Sequence, residues 1–376
     1  MASITEDMIA EAFARIEMAL LRSMIRNFEK HRVDQIKEGR EWERWQSVQL
    51  AELNRYVRRN LRKGGGAFDK VNKMVDQLLS EAYESGLSAF ERLKLRAMRS
   101  GLGAVTKARS LLGIPTERLD VLVEATHSDL MRAEYATLRK AEDDFRSIVF
   151  NAQVYATSGA GTYSQAIDMA TKDLLAKGLK GITYSNGSRH SIEEYATMAV
   201  RTAAKRAALV AEGRQRQEWG VHTIFINRRP DACPVCMRWV GQVLVDDVYS
   251  GGTKEEAEAG GYALLSDAME QGLFHPNCRD TAATYYPGIT QLPDPPTEEE
   301  MAAAIEREKQ ENRLSDAKSR KRAAERKAEL SLEKGNREEG RERAEQLDDE
   351  IGLMEVAIED MDREAADALE GPDEAV

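Results

Sequence analysis

The chain is sparing with the residues that most often carry chemistry. It has three cysteines, five histidines and four tryptophans among 376 residues, and aromatics make up only 6% of it. Three cysteines cannot build a disulfide framework. The first residues also show no basic segment followed by an apolar one, so a reducing cytosol is the expected place of synthesis. No apolar run approaches the roughly 20 residues that span a bilayer, so no membrane partner is expected. A surplus of positive charge is missing too. The net charge is −11, but residues 297–376 hold 26 acidic and 14 basic side chains, while the rest of the chain holds 39 and 40. So balanced a body excludes the broad basic footprint of a general DNA binder. One local cluster, Arg55, Arg58, Arg59, Arg62 and Lys63, is left as a candidate for contacts with phosphate or an acidic partner.

What the chain does have is helical periodicity. Ile9, Phe13, Ile16, Leu20 and Met24 recur at helical spacing, and residues 4–63 read as two helices. Gly64, Gly65 and Gly66 then mark a hinge. The pattern resumes from Phe68 to about Met98 and is interrupted at Gly101 and Gly103. Pro115 suits a first helical turn, and a long helix is expected from there to about Tyr155. A shorter one covers Tyr163 to Lys177. Asn186-Gly187 between short β-prone segments predicts a hairpin. Ser191 with Glu194 three residues on reads as a capping box that opens the next helix. His222 to Ile226 reads as a short strand, and Leu264 to Glu270 as a helix. Pro287, Pro293, Pro295 and Pro296 close this stretch.

The tail beyond is charged and helical. Ala344, Leu347, Ile351, Met354, Ile358, Met361, Ala365 and Ala368 step by three and four, a short heptad seam. It suits self-association or a partner helix, and equally a solvated helix resting on a neighbour.

All three cysteines fall in two matched pairs. Cys233-Pro234-Val235-Cys236 is answered by His275-Pro276-Asn277-Cys278. Two residues between ligands let each turn offer two donors to one tetrahedral ion, and a Cys3His set is a closed zinc shell. Zn2+ is therefore the expected cofactor, in a structural role. The bland alternative is three reduced, buried cysteines and a surface histidine. A Cys233–Cys236 redox pair fits less well, since no βαβ unit accompanies it. Catalytic zinc fits poorly as well. A nucleobase deaminase needs H-x-E and a ligand position left for water, whereas His190-Ser191-Ile192-Glu193 is one residue too long. His190, His222 and His275 do not form the base-plus-ligand arrangement of a metal nuclease. No catalytic residue is assigned. Around the pairs, Trp239 and Phe274 are expected to pack over the centre. Asp231 and Asp280 are expected to accept hydrogen bonds behind the ligands. Arg201, with Thr202, is expected to be a buried hydrogen-bonding anchor.

Several motifs occur in order: Ile182-Thr183-Tyr184 with Asn186-Gly187, Tyr195 to Thr202, Cys233 to Cys236 with Trp239 and Gly241, Gly272 to Arg279, and Tyr286-Pro287-Gly288. Over about residues 180–290 this series resembles the phage minor capsid protein 2 family, relatives of the Mu F-like head morphogenesis proteins. One position departs: Asp280 follows Arg279 where family members often carry a basic or histidine residue. The resemblance implies a minor structural protein of a tailed-phage head, located in the virion near the portal vertex after assembly in the host cytoplasm. Its partners would be the portal protein, other head proteins and the packaged DNA, and its role head assembly or DNA packaging and ejection. The alternative is a phage-encoded enzyme or toxin-like effector delivered with the virion: a nuclease, deaminase or ADP-ribosyltransferase. The charged tail, without cysteine or histidine, offers no nucleophile–base pair for it.

The expected architecture is mostly α. A helical region spans 1–160, a small α+β module with the metal pairs spans 161–292, and a linker with an acidic helical tail spans 293–376.

Overall fold

The computed structural model describes residues 4–38, 66–99, 117–158, 160, 163–184 and 187–370. The second N-terminal helix, Gly64, Gly65, and the cluster Arg55, Arg58, Arg59, Arg62 and Lys63 lie outside them. The protein is mostly helical. Along the chain come α1 (Glu6–Glu38), α2 (Ala67–Arg99), α3 (Glu117–Thr157), α4 (Tyr163–Lys177), β1 (Ile182–Thr183), β2 (Arg189–His190), α5 (Ile192–Trp219) and β3 (Thr223–Ile226). They are followed by α6 (Pro234–Met237), β4 (Val243–Val245), α7 (Lys254–Gly260), β5 (Ala263–Leu264), α8 (Leu265–Glu270), β6 (Ala282–Thr284), α9 (Glu298–Leu330) and α10 (Lys334–Glu370). Among the described residues no helix is long and apolar enough to cross a membrane.

The fold divides into two compact units, each drawn from three chain segments. The first comprises 1–75, 127–197 and 314–353; the second comprises 76–126, 198–313 and 354–376. Five helices contribute residues to both units, so the units interleave the stretches that composition marks out.

In the first unit the expected apolar face of α1 is buried: Ile9, Phe13, Leu20 and Met24 are inaccessible to solvent. Phe13 meets Phe68 of α2, ring centroids 6.2 Å apart. Burying such a side chain contributes about 1.5–3 kcal/mol. Glu17 is buried on the same helix, where its carboxylate accepts the Leu179 N–H at 2.8 Å. Arg326 of α9 donates to the carbonyl of Leu175 at 2.9 Å, closing the C-terminal end of α4. β1 and β2 pair antiparallel, with Gly187 in the left-handed region at φ 82°. Ser191 caps α5 reciprocally with Glu194: the Glu194 N–H reaches Ser191 Oγ at 3.2 Å, and the Ser191 N–H reaches Glu194 Oε2 at 3.1 Å. α9 and α10 approach closely here. A Cβ on Gly340 would lie 2.5 Å from the Ala328 nitrogen, and Lys321 pairs with Asp348. The seam residues Leu347 and Ile351 are buried, so this part of the heptad pattern rests on the chain itself.

The second unit holds a four-stranded sheet in the order β5-β4-β3-β6. β3 is antiparallel to both β4 and β6, and β5 is parallel to β4. Ile224 and Ile226 point from β3 into a core shared with Leu209 of α5, Leu244, Leu265 and Leu273. A close backbone approach joins α2 to α5: a Cβ on Gly86 would lie 2.6 Å from the Ala208 carbonyl oxygen. Arg307 of α9 pairs with Asp362 of α10, and Ile358, also in the seam, is buried.

Candidate metal centre

In the second unit one ligand turn follows β3 and the other precedes β6. Cys233 is the N-cap of α6, its sulfur accepting the Cys236 N–H at 3.3 Å, with Pro234 in the first turn. A proline there forfeits no helical hydrogen bond and fixes the backbone for the turn. The second turn is built on less common backbone. Phe274 and Asn277 take left-handed φ values of 56° and 68°. Asn tolerates that conformation; for Phe it costs about 1–3 kcal/mol, which the packing around it must offset. Phe274 is buried in the same core as Cys236 and Cys278.

The turns bring all four predicted ligands together. Cys233 Sγ lies 3.1 Å from His275 Nε2, Cys236 Sγ lies 3.3 Å from Cys278 Sγ, and the four donor atoms all lie within 4.8 Å of one another. A tetrahedral ion with bonds of about 2.3 Å sets its ligands about 3.7 Å apart, within that spread. His275 Nδ1 is 2.8 Å from the Pro276 carbonyl oxygen, which leaves Nε2 for the centre. This is the tautomer-fixing contact that ligand histidines make. The cluster can hold a metal ion, and four protein donors close a tetrahedral shell.

Taken by themselves, the four groups share charge unevenly. Hydrogen bonds from Cys236 and Cys278, helped by the His275 contact, outweigh burial and hold the Cys233 thiol far below its ordinary range. The bonds to Cys233 and Cys278 push Cys236 up. The bond to Cys233 raises His275 to about 9. A cation at the centre would replace these shared protons.

The surroundings separate the predicted supporting residues. Asp280 Oδ2 accepts the Cys233 N–H at 3.4 Å and lies 3.5 Å from Cys278 Sγ; burial, then the Cys278 sulfur, raise its carboxyl. Asp231 turns away to pair with Arg229, 2.7 Å between Oδ2 and Nη2, and Arg229 in turn donates to the Arg279 carbonyl at 2.7 Å. The Arg279 side chain lies 3.9 Å from Glu311. Trp239 packs against the core cluster, and its backbone N–H donates to the Cys236 carbonyl at 3.0 Å. Arg201 is half-buried, not buried as expected. Its guanidinium donates to Asn277 Oδ1, and the neighbouring Thr202 hydroxyl accepts the Asn277 N–H at 3.1 Å. The reason is geometric: α5 lays one face along the second ligand turn, near the surface.

Two features carried no sequence signal. Lys205, one turn on from Arg201, places Nζ 3.2 Å from Cys278 Sγ and 4.1 Å from the Phe274 ring centroid. Deeper in the unit, Arg216 Nη2 and Asp246 Oδ2 pair at 2.9 Å with both side chains wholly buried. Neither pairing is local, so spacing along the chain could not disclose it. In the first unit His190 sits between Ser188 Oγ at 2.9 Å and Glu194 Oε2 at 3.2 Å, stacked on Tyr184. Glu194 is committed to the capping box, so this network ties the hairpin to the start of α5.

The class these features define is a mostly helical protein with a small sheet and a Cys3His cluster that could hold a metal ion. The family model for phage minor capsid protein 2 matches residues 3–349, and the chain belongs to that family. The match extends beyond the 180–290 motifs to the N-terminal helices and most of the tail. It makes this a structural protein of the phage head, in contact with other head proteins. No curated protein and no solved structure matches the chain significantly.

Proposed function

We propose that the protein is a minor component of a tailed-phage virion that sits at the portal vertex and acts in head assembly or in the packaging and ejection of DNA. The observation that carries this reading is the family match over residues 3–349. The portal protein is its main partner, and packaged DNA a further one. The centre binds Zn2+ and staples two turns; it does not catalyse. Three thiolates and an imidazole favour zinc over the hard cations, and a shell filled by protein ligands leaves no position for a reacting water. Arg201, Phe274, Trp239 and Asp280 support the turns. We read the seam of α10 as the contact of a helix with its own chain, since Leu347, Ile351 and Ile358 are buried.

The test is direct. Purified particles should contain the protein in low copy number, and cross-linking in intact heads should join it to the portal protein. Its absence from washed particles would overturn the proposal. Metal analysis of the purified chain should return one zinc per molecule, and a different metal or none would remove the zinc reading while leaving the virion role standing.

A further inference from the structure

We propose that Lys205 is the counter-charge of the metal centre: its ammonium donates to the Cys278 sulfur and sets how tightly the ion is kept. The inference rests on the zinc reading above. Three thiolates and a neutral imidazole around a divalent ion leave a net charge of −1, and the Asp280 carboxyl lies against Cys233 and Cys278. Cys236, Cys278 and Asp280 are all buried, so water does little to screen this excess. Lys205 faces it. Nζ is 3.2 Å from Cys278 Sγ.

The position of Lys205 is built, not incidental. Its ammonium lies over the Phe274 ring at 4.1 Å, and Phe274 is held in a left-handed backbone conformation one residue before His275. A cation over a ring face is attracted by the ring's quadrupole, so Phe274 steers the ammonium towards the sulfur. Arg201 and Thr202, on the preceding turn of α5, fix Asn277 by its side chain and its N–H. One face of a single helix thus grips Asn277, next to Cys278, and delivers a positive charge to the last ligand. A hydrogen bond to a ligating thiolate spreads its charge, and supporting contacts of this kind change metal affinity by about 10–100-fold.

The experiment compares wild type with Lys205→Met and Lys205→Arg in the full chain, using zinc itself and a chromophoric chelator as competitor. The methionine side chain keeps the aliphatic stem over Phe274 and removes the charge; arginine restores the charge. Zinc affinity of the Lys205→Met variant should fall by about 10–100-fold, with zinc released faster to the chelator, and Lys205→Arg should recover most of the loss. Wild-type affinity in Lys205→Met would overturn the inference, as would equal loss in both variants, which would mark a role in shape and not charge. If Lys205→Met does not fold, Lys205→Gln is read in the same assay against the same two outcomes. Failure of the wild-type chain to bind zinc at all would instead overturn the zinc reading, so the two failures are distinct.

Discussion

Replacing Asp246 by alanine tests how the second unit tolerates charge in its core. Asp246 and Arg216 are both fully buried, and Nη2 meets Oδ2 at 2.9 Å. The other carboxylate oxygen accepts the Tyr249 N–H at 2.7 Å. Alanine therefore removes the partner of a buried guanidinium and orphans a backbone donor. Breaking a buried pair from one side costs about 3–5 kcal/mol, and an unsatisfied N–H adds about 1–3. Glu212 moderates this. Its Oε2 is 3.4 Å from Arg216 Nη1, and burial, partly offset by Arg216, raises its carboxyl. With Asp246 gone, Glu212 loses a like-charged neighbour and serves as the remaining counter-ion, so the net cost is about 3–4 kcal/mol. Asp246→Asn keeps an acceptor for Tyr249 and should cost less than alanine. The double variant Arg216→Met/Asp246→Asn removes both charges and should recover at least half of the loss. Urea unfolding, followed by tryptophan fluorescence and by circular dichroism, gives each term of the cycle. A loss under about 1 kcal/mol in Asp246→Ala, or a coupling below about 1 kcal/mol in the cycle, would refute this account of the core.

Other consequences can be measured on the same protein. Cys236→Ser should lower zinc affinity by more than about 100-fold, and a chelator should lower the wild-type Tm but leave this variant's unchanged. Because His275 is held up to about 9 when Cys233 is its partner, zinc must displace a proton there, so affinity should climb as pH rises towards 9, read by calorimetry in buffers of different ionisation heat. Burial raises Glu134 from 4.5 to about 7, partly offset by the bond from Asn72. The folded state holds that proton longer than the unfolded chain, so this contribution is complete below about pH 4.5 and lost as pH rises through 7. Glu134→Gln should therefore leave stability at pH 4 unchanged and raise it at pH 8 by up to about 3 kcal/mol, and an equal effect at both pH values would refute the assignment. Gly213→Ala should destabilise by more than about 2 kcal/mol in a thermal melt, because its Cβ would lie 2.3 Å from that of Tyr249.

Much of this architecture was legible because it is local. Pro115 and the apolar spacing after it placed α3 to within two residues of its observed ends, Glu117–Thr157. Ser191 and Glu194 announced the cap of α5, and Asn186-Gly187 the hairpin before it, since both signals act over four residues or fewer. The ligand pairs were legible for the same reason: two donors on one short turn must share a face. Strands β4 and β6 were not foreseen. Each is three residues long, too short for alternation to show, and each is held by pairing with β3, which is distant in sequence. Asp231 and Asp280 looked alike as candidates to support the ligands, yet only Asp280 reaches one, because Arg229 holds Asp231 away.

By itself the sequence determined the long described helices, the cap of α5, the acidic tail, the four donors and the family resemblance, all of which depend on residue type at short spacing. Tertiary structure decided what lies across long spans of chain. It set Cys233 against His275 and Lys205 against Cys278, and it buried Arg216 with Asp246. It also turned the heptad seam inward. These pairings are fixed by how helices and strands pack, and packing depends on the shapes of surfaces that a linear pattern does not specify.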